Sequence, residues 1–137
     1  LNMPPQRLPD ERSVRREPED ADVLLARLLE LTNQKAAVEE AAATVYRYLS
    51  LGHDDRRLLQ TLAYVLLRED AEFHSYQMLE AGLRQYHRLK ATRPALAWNA
   101  LVAVARYLAA HSPTDRATTQ TYTIALRLHR GEELYKE

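Results

Sequence analysis

The chain has 137 residues, with 19 Lys and Arg against 19 Asp and Glu, three glycines and no cysteine. That length suits one domain with its own core, and the balanced charge removes the field that would attract nucleic acid or an anionic membrane. Without cysteine the chain can form no disulfide, thiolate metal site, cysteine-ligated iron–sulfur cluster or cysteine nucleophile.

Abundant Ala, Leu, Arg and Glu with few β-branched residues make a helical composition. No apolar run approaches the roughly 20 residues of a membrane span, and the first residues lack the basic, apolar, small-residue order of a signal peptide. The expectation is a soluble, cytoplasmic, all-α protein: a compact bundle of five or six helices with short loops and an extended N-terminal arm.

Residues 1–17 carry Pro4, Pro5 and Pro9 with mixed charges and no helical period, and read as that arm, either a tail or a strap on a neighbouring subunit. Residues 18–137 form the single helical domain. From Pro18, three acids precede Leu24, Leu25, Leu28 and Leu29, the order of a helix start followed by its apolar face. Asn33 is placed to cap a second helix with the stripe Ala37, Val38, Ala41, Val45, Tyr48 and Leu49, and Gly52 ends it.

Asp54 or Asp55 caps the next helix, carrying Leu58, Leu59, Leu62, Val65 and Leu66. Its helical pattern continues to Lys90, but an unbroken helix of that length would run about 55 Å, against a radius of gyration near ~14 Å for a compact domain of this size. The charged cluster Arg68, Glu69, Asp70 is the expected break, with Asp70 capping a helix from Ala71. After Pro94 a helix turns Leu96, Leu101, Val104 or Ala105, and Leu108 inward. Thr114 caps a last helix that ends at Gly131. Three helix pairs share no aligned signature, which favours closed packing over a repeat array.

The chemistry concentrates in residues 68–85, REDAEFHSYQMLEAGLRQ, where polar groups interrupt an apolar helical stretch. Buried polar groups cost stability unless they are paired, so they are either satisfied or functional. Continued through the break, the helical period places Glu69, Phe73, Tyr76, Glu80, Leu83 and His87 on the face begun by Leu58, Leu62 and Val65. Asp70 and His74, four apart, can pair side to side, which is how a carboxylate orients a general base or a metal-binding imidazole.

Two readings stay open. In the first, the chain holds a small-molecule pocket, enzymatic or binding: Glu69 or Asp70 acts as base or orienter and His74 as acid–base group or ligand, with Tyr76, Glu80, Trp98, Tyr107 and His111 binding substrate. In the second, the domain is a non-catalytic interaction or dimerisation module, in which Glu69 and Glu80 bond arginines such as Arg106 or Arg127. A homo-oligomer is expected in either case. Tyr48, Tyr76, Tyr107 and Tyr122 are all placed near inner faces, as core or as pocket walls.

Metal spacing is unfavourable. No glutamate stands three positions before any histidine, which removes the di-iron bundle pattern, and there is no His-Glu-x-x-His. No metal ligand set is assigned. A mononuclear site from Glu69, His74 and His111 stays open, as does a haem held by one axial histidine.

The strings REDAEFHSYQMLEAGLRQ and VAVARYLAAHSPTDRATTQTYTIALRLHRGEELY resemble an uncharacterised bacterial helical module associated with Rieske-type iron–sulfur proteins. The resemblance spans about Val38 to Leu134 and implies a helical domain, an accessory to a redox protein, with no catalytic assignment. Lacking the paired Cys and His ligands of a Rieske centre, the chain cannot itself be the electron carrier.

Overall fold

A computed structural model of the chain describes residues 7–9 and 18–132; most of the expected N-terminal arm lies outside the described residues. These form six helices and no strand: α1 (Ala21–Leu31), α2 (Val38–Ser50), α3 (Asp55–Arg68), α4 (Phe73–Leu89), α5 (Pro94–Ala110) and α6 (Ala117–His129). No helix among them is long and apolar enough to cross a membrane.

Local chemistry explains most of the boundaries. Asp20 and Asp54 cap α1 and α3, each accepting the N–H two residues on, from Asp22 and Arg56. Pro94 starts α5, where its missing N–H costs nothing. Gly52, with φ of +75°, takes the left-handed conformation just beyond α2 that other residues resist. Asn33 does not cap α2, which begins only at Val38; its side chain instead accepts from Arg116 Nη2 at 2.6 Å.

The central helix is α5. Ala97, Leu101, Val102, Val104, Ala105, Leu108 and Ala109 are buried along it, and α2 and α4 pack extensively on either side. Leu96 is exposed. The α1, α2 and α3 faces close the core with Leu24, Leu28, Val45, Tyr48, Leu58, Leu62 and Val65, each large aliphatic contributing about 2 kcal/mol by leaving water. Gly82 lets α4 lie close on α5, because a β-carbon there would overlap Val104 Cγ2. At the far end of α4, Tyr86 donates to Asp55 Oδ2 at 2.7 Å and ties it to the start of α3.

The expected break falls at residues 69–72, and it resets the helical phase. The inward face of α4 is Ser75, Leu79, Gly82 and Tyr86, one residue behind the expected 76, 80, 83 and 87. One residue is about 100° of rotation. Phe73, Tyr76 and Glu80 therefore face outward.

α6 stands apart. It buries none of its residues and packs extensively on no other helix. Tyr122, expected near an inner face, is 66% exposed.

Candidate functional site

Glu69 and Asp70 lie in the four-residue link between α3 and α4, against the link that joins α5 to α6. Glu69 is 8% exposed, and both carboxylate oxygens are engaged. Its Oε1 accepts from Arg68 Nε at 3.0 Å and from Arg116 Nε and Nη2 at 3.1 and 2.7 Å. Its Oε2 accepts from the Thr114 backbone N–H and hydroxyl, each at 2.8 Å. Arg68 continues to the Thr32 hydroxyl at 2.6 Å, so the cluster joins the ends of α1 and α3 to the approach to α6.

Burial favours the protonated form of Glu69, but Arg116 and Thr114 outweigh it and hold the carboxyl below the usual glutamate value. The same pairing raises Arg116. Arg116 itself adopts a left-handed backbone, φ of +56°, immediately before α6. Its side-chain bonds to Glu69 and Asn33 hold it in this sparsely populated conformation.

Asp70 caps α6 rather than the helix that follows it. Its carboxylate accepts the N–H groups of Ala117 and Thr118 at 2.7 and 2.9 Å, and those donors hold its pKa below the usual aspartate value. Thr114, the expected cap of α6, instead accepts the Asp70 N–H at 2.9 Å. The expected Asp70–His74 pair does not form; His74 Nδ1 lies 3.2 Å from Gln77 Oε1.

Beside this cluster is a recess of about 280 Å³. The side chains brought to it include Glu69, Asp70 and His74 from the link and the start of α4, and Tyr107 and His111 from the end of α5. The His111 ring stacks on Tyr107 at 4.1 Å between centroids, and its Nδ1 donates to the Tyr107 carbonyl at 2.8 Å.

Three of the sequence-selected residues are elsewhere. Tyr76 is 48% exposed on the outer face of α4; Glu80, also outside, pairs with Arg84 at 2.8 Å along the helix. Trp98 packs edge-on against Tyr46 at 5.6 Å. The arginines proposed for the acids are occupied otherwise, Arg106 with Glu39 and Arg127 with Glu132.

Sequence reasoning missed Ser75 and Ser112, which are 6% and 7% exposed and line the recess. For Ser75 a signal existed: it is in phase with Gly82 and Tyr86 once the helix is started at Phe73. Ser112 and Arg116 carry no local signal, because their partners come from distant links.

Among the described residues no group of three or more His, Asp and Glu side chains is arranged to hold a metal ion. Glu69, the carboxylate such a site would need beside His74 and His111, already accepts bonds from two arginines and a threonine.

Comparison with known proteins finds no matching family model, no matching curated protein and no matching solved structure.

Proposed function

We propose that this chain is a helical interaction module that pairs with a second copy of itself through α6. The observation that carries the reading is that α6, 13 residues long, buries none of them. An isolated helix of about 12–15 residues is marginal in water even with good helix formers, and α6 contains Thr118, Thr119, Thr121 and Thr123, which are poor ones.

The pattern of α6 favours another helix as its cover. Ala117, Thr121, Ile124 and Leu128 follow the alternating four- and three-residue spacing of a helix–helix seam. Ile124 is 47% and Leu128 56% exposed. An antiparallel pair of α6 helices sets their dipoles in opposition, side by side. In this reading Glu69 and Asp70 present α6 to its partner. Their donors at every carboxylate oxygen support such a packing role over proton transfer.

Sedimentation equilibrium tests it. The wild-type chain is expected to dimerise with rising concentration, and Ile124→Asp with Leu128→Asp to give a monomer whose α1–α5 core melts as before. A wild-type chain that stays monomeric across the accessible range sinks the proposal.

A further inference from the structure

We infer that the turn joining α4 to α5 is a docking surface for an anionic phospholipid bilayer, which it meets with a cluster of cations set around a small apolar tip.

The chain is neutral overall, but its charge is unevenly placed. Between Glu80 and Asp115 there is no acid, and the same stretch carries Arg84, Arg88, Lys90, Arg93 and Arg106. The first four stand on the last turns of α4 and in the turn that follows. Arg84 and Arg88 are one helical turn apart and opposite the buried stripe of Gly82 and Tyr86, so both point away from the core.

The acids that fold to this end are already engaged. Asp55 holds Tyr86 and Lys90, at 2.7 and 3.1 Å. Asp54 accepts the Arg56 N–H at 3.0 Å and caps α3, and Asp22 pairs with Arg57. Glu80 reaches Arg84 between two exposed side chains, a pair of little strength in water. Arg88 and Arg93 are exposed and pair with no described residue. The surplus at the turn is therefore positive.

What the turn offers besides charge decides the partner. Ala91, Pro94, Ala95 and Leu96 are exposed there, Leu96 by 47%. An apolar tip flanked by cations suits the headgroup layer, the tip entering it while the charges stay at its anionic surface. Arg84, Arg88, Lys90 and Arg93 match the smallest basic clusters that hold a protein to anionic lipid. A nucleic-acid strand is held instead by rings on which its bases stack. Here Tyr86 is buried and bonded to Asp55, and Trp98 packs edge-on against Tyr46.

Vesicle flotation of the full chain tests the inference, using phosphatidylcholine vesicles with and without phosphatidylserine, and single-stranded DNA and polyglutamate as the other candidate partners. The chain should bind vesicles containing phosphatidylserine, release them as salt is raised, and ignore pure phosphatidylcholine. Arg88→Ala and Arg93→Ala should each weaken binding about fivefold, and Leu96→Ser by a similar factor. All three side chains are exposed, so circular dichroism should not change. Arg127→Ala, which removes a cation from α6, should leave binding as it is. The inference is overturned by equal binding to both kinds of vesicle, by none to either, by an equal loss in Arg127→Ala, or by undiminished binding when Arg88 and Arg93 are both replaced. Capture by DNA or polyglutamate without vesicle binding also overturns it. Should a variant misfold, the lipid and salt comparisons on the wild type still decide.

Discussion

The carboxylate of Asp70 accepts the backbone N–H of Ala117 at 2.7 Å, so a side chain in the α3–α4 link caps a helix that begins 47 residues later. Helix starts leave their first N–H groups without partners, and the residue preceding α6, Arg116, supplies no side-chain cap. Asp70→Ala should therefore loosen α6 selectively. Amide exchange at residues 117–121 should accelerate while protection in α2 and α5 stays as in the wild type; uniform loss across all helices would contradict this.

Glu69→Ala leaves Arg116, Arg68 and Thr114 without their shared acceptor inside a buried cluster. The expected cost is about 3 kcal/mol, the range for breaking a buried ion pair by removing one partner. Glu80→Ala, which removes an exposed pair with Arg84, should change stability by less than about 0.5 kcal/mol. Urea unfolding of the two variants side by side makes the comparison, and similar losses would mean that burial of Glu69 carries no weight.

Acid should destabilise the fold with a definite sign. Glu69 and Asp70 have lowered pKa values, as does Asp55, first through its hydrogen bond from Tyr86 and then that from Lys90. The unfolded chain, with carboxyls near about 4, takes up protons before the folded one does. Their contribution is thus complete above the unfolded values and lost as pH falls through the folded ones. Melting temperature is expected to hold from neutral pH to about 5 and to fall below about 4.5. Glu69→Gln should flatten that fall.

Gly82→Ala places a β-carbon into Val104 Cγ2, an overpacking expected to cost about 1–3 kcal/mol. Val104→Ala alone also destabilises, by opening a cavity. Combined, the two should recover part of the loss, and the coupling in a double-mutant cycle measures how closely α4 lies on α5.

Tyr86→Phe removes the hydroxyl held by Asp55 at 2.7 Å and should cost about 1 kcal/mol. Burial first, and then Asp55, raise the Tyr86 pKa above its ordinary value. Its contribution is therefore present below the unfolded value near about 10 and declines as pH rises beyond it. Alkaline unfolding followed by tyrosinate absorbance should show one residue fewer with delayed ionisation in the variant.

Helices α1, α2, α3 and α5 were legible in the sequence because their signals are local: Asp20 or Asp54 before an apolar run, Gly52 after one, Pro94 at a start, leucines at helical spacing. So was the break near Asp70, from length together with the charged cluster Arg68, Glu69, Asp70. Four non-helical residues then erased the phase relation between α3 and α4, and with it the placement of Tyr76 and Glu80. Asp70 shows the same limit. Sequence rules give an acid a partner within four residues, whereas its actual partners, Ala117 and Thr118, come from a link folded back onto it. Composition and periodicity thus determined an all-helical chain and most of its helix boundaries, since each depends on residues one turn apart. Only the tertiary structure decided which polar groups were satisfied, that Ser75 and Ser112 were left facing a recess, and that α6 remained uncovered, because those outcomes depend on contacts between segments far apart in the chain.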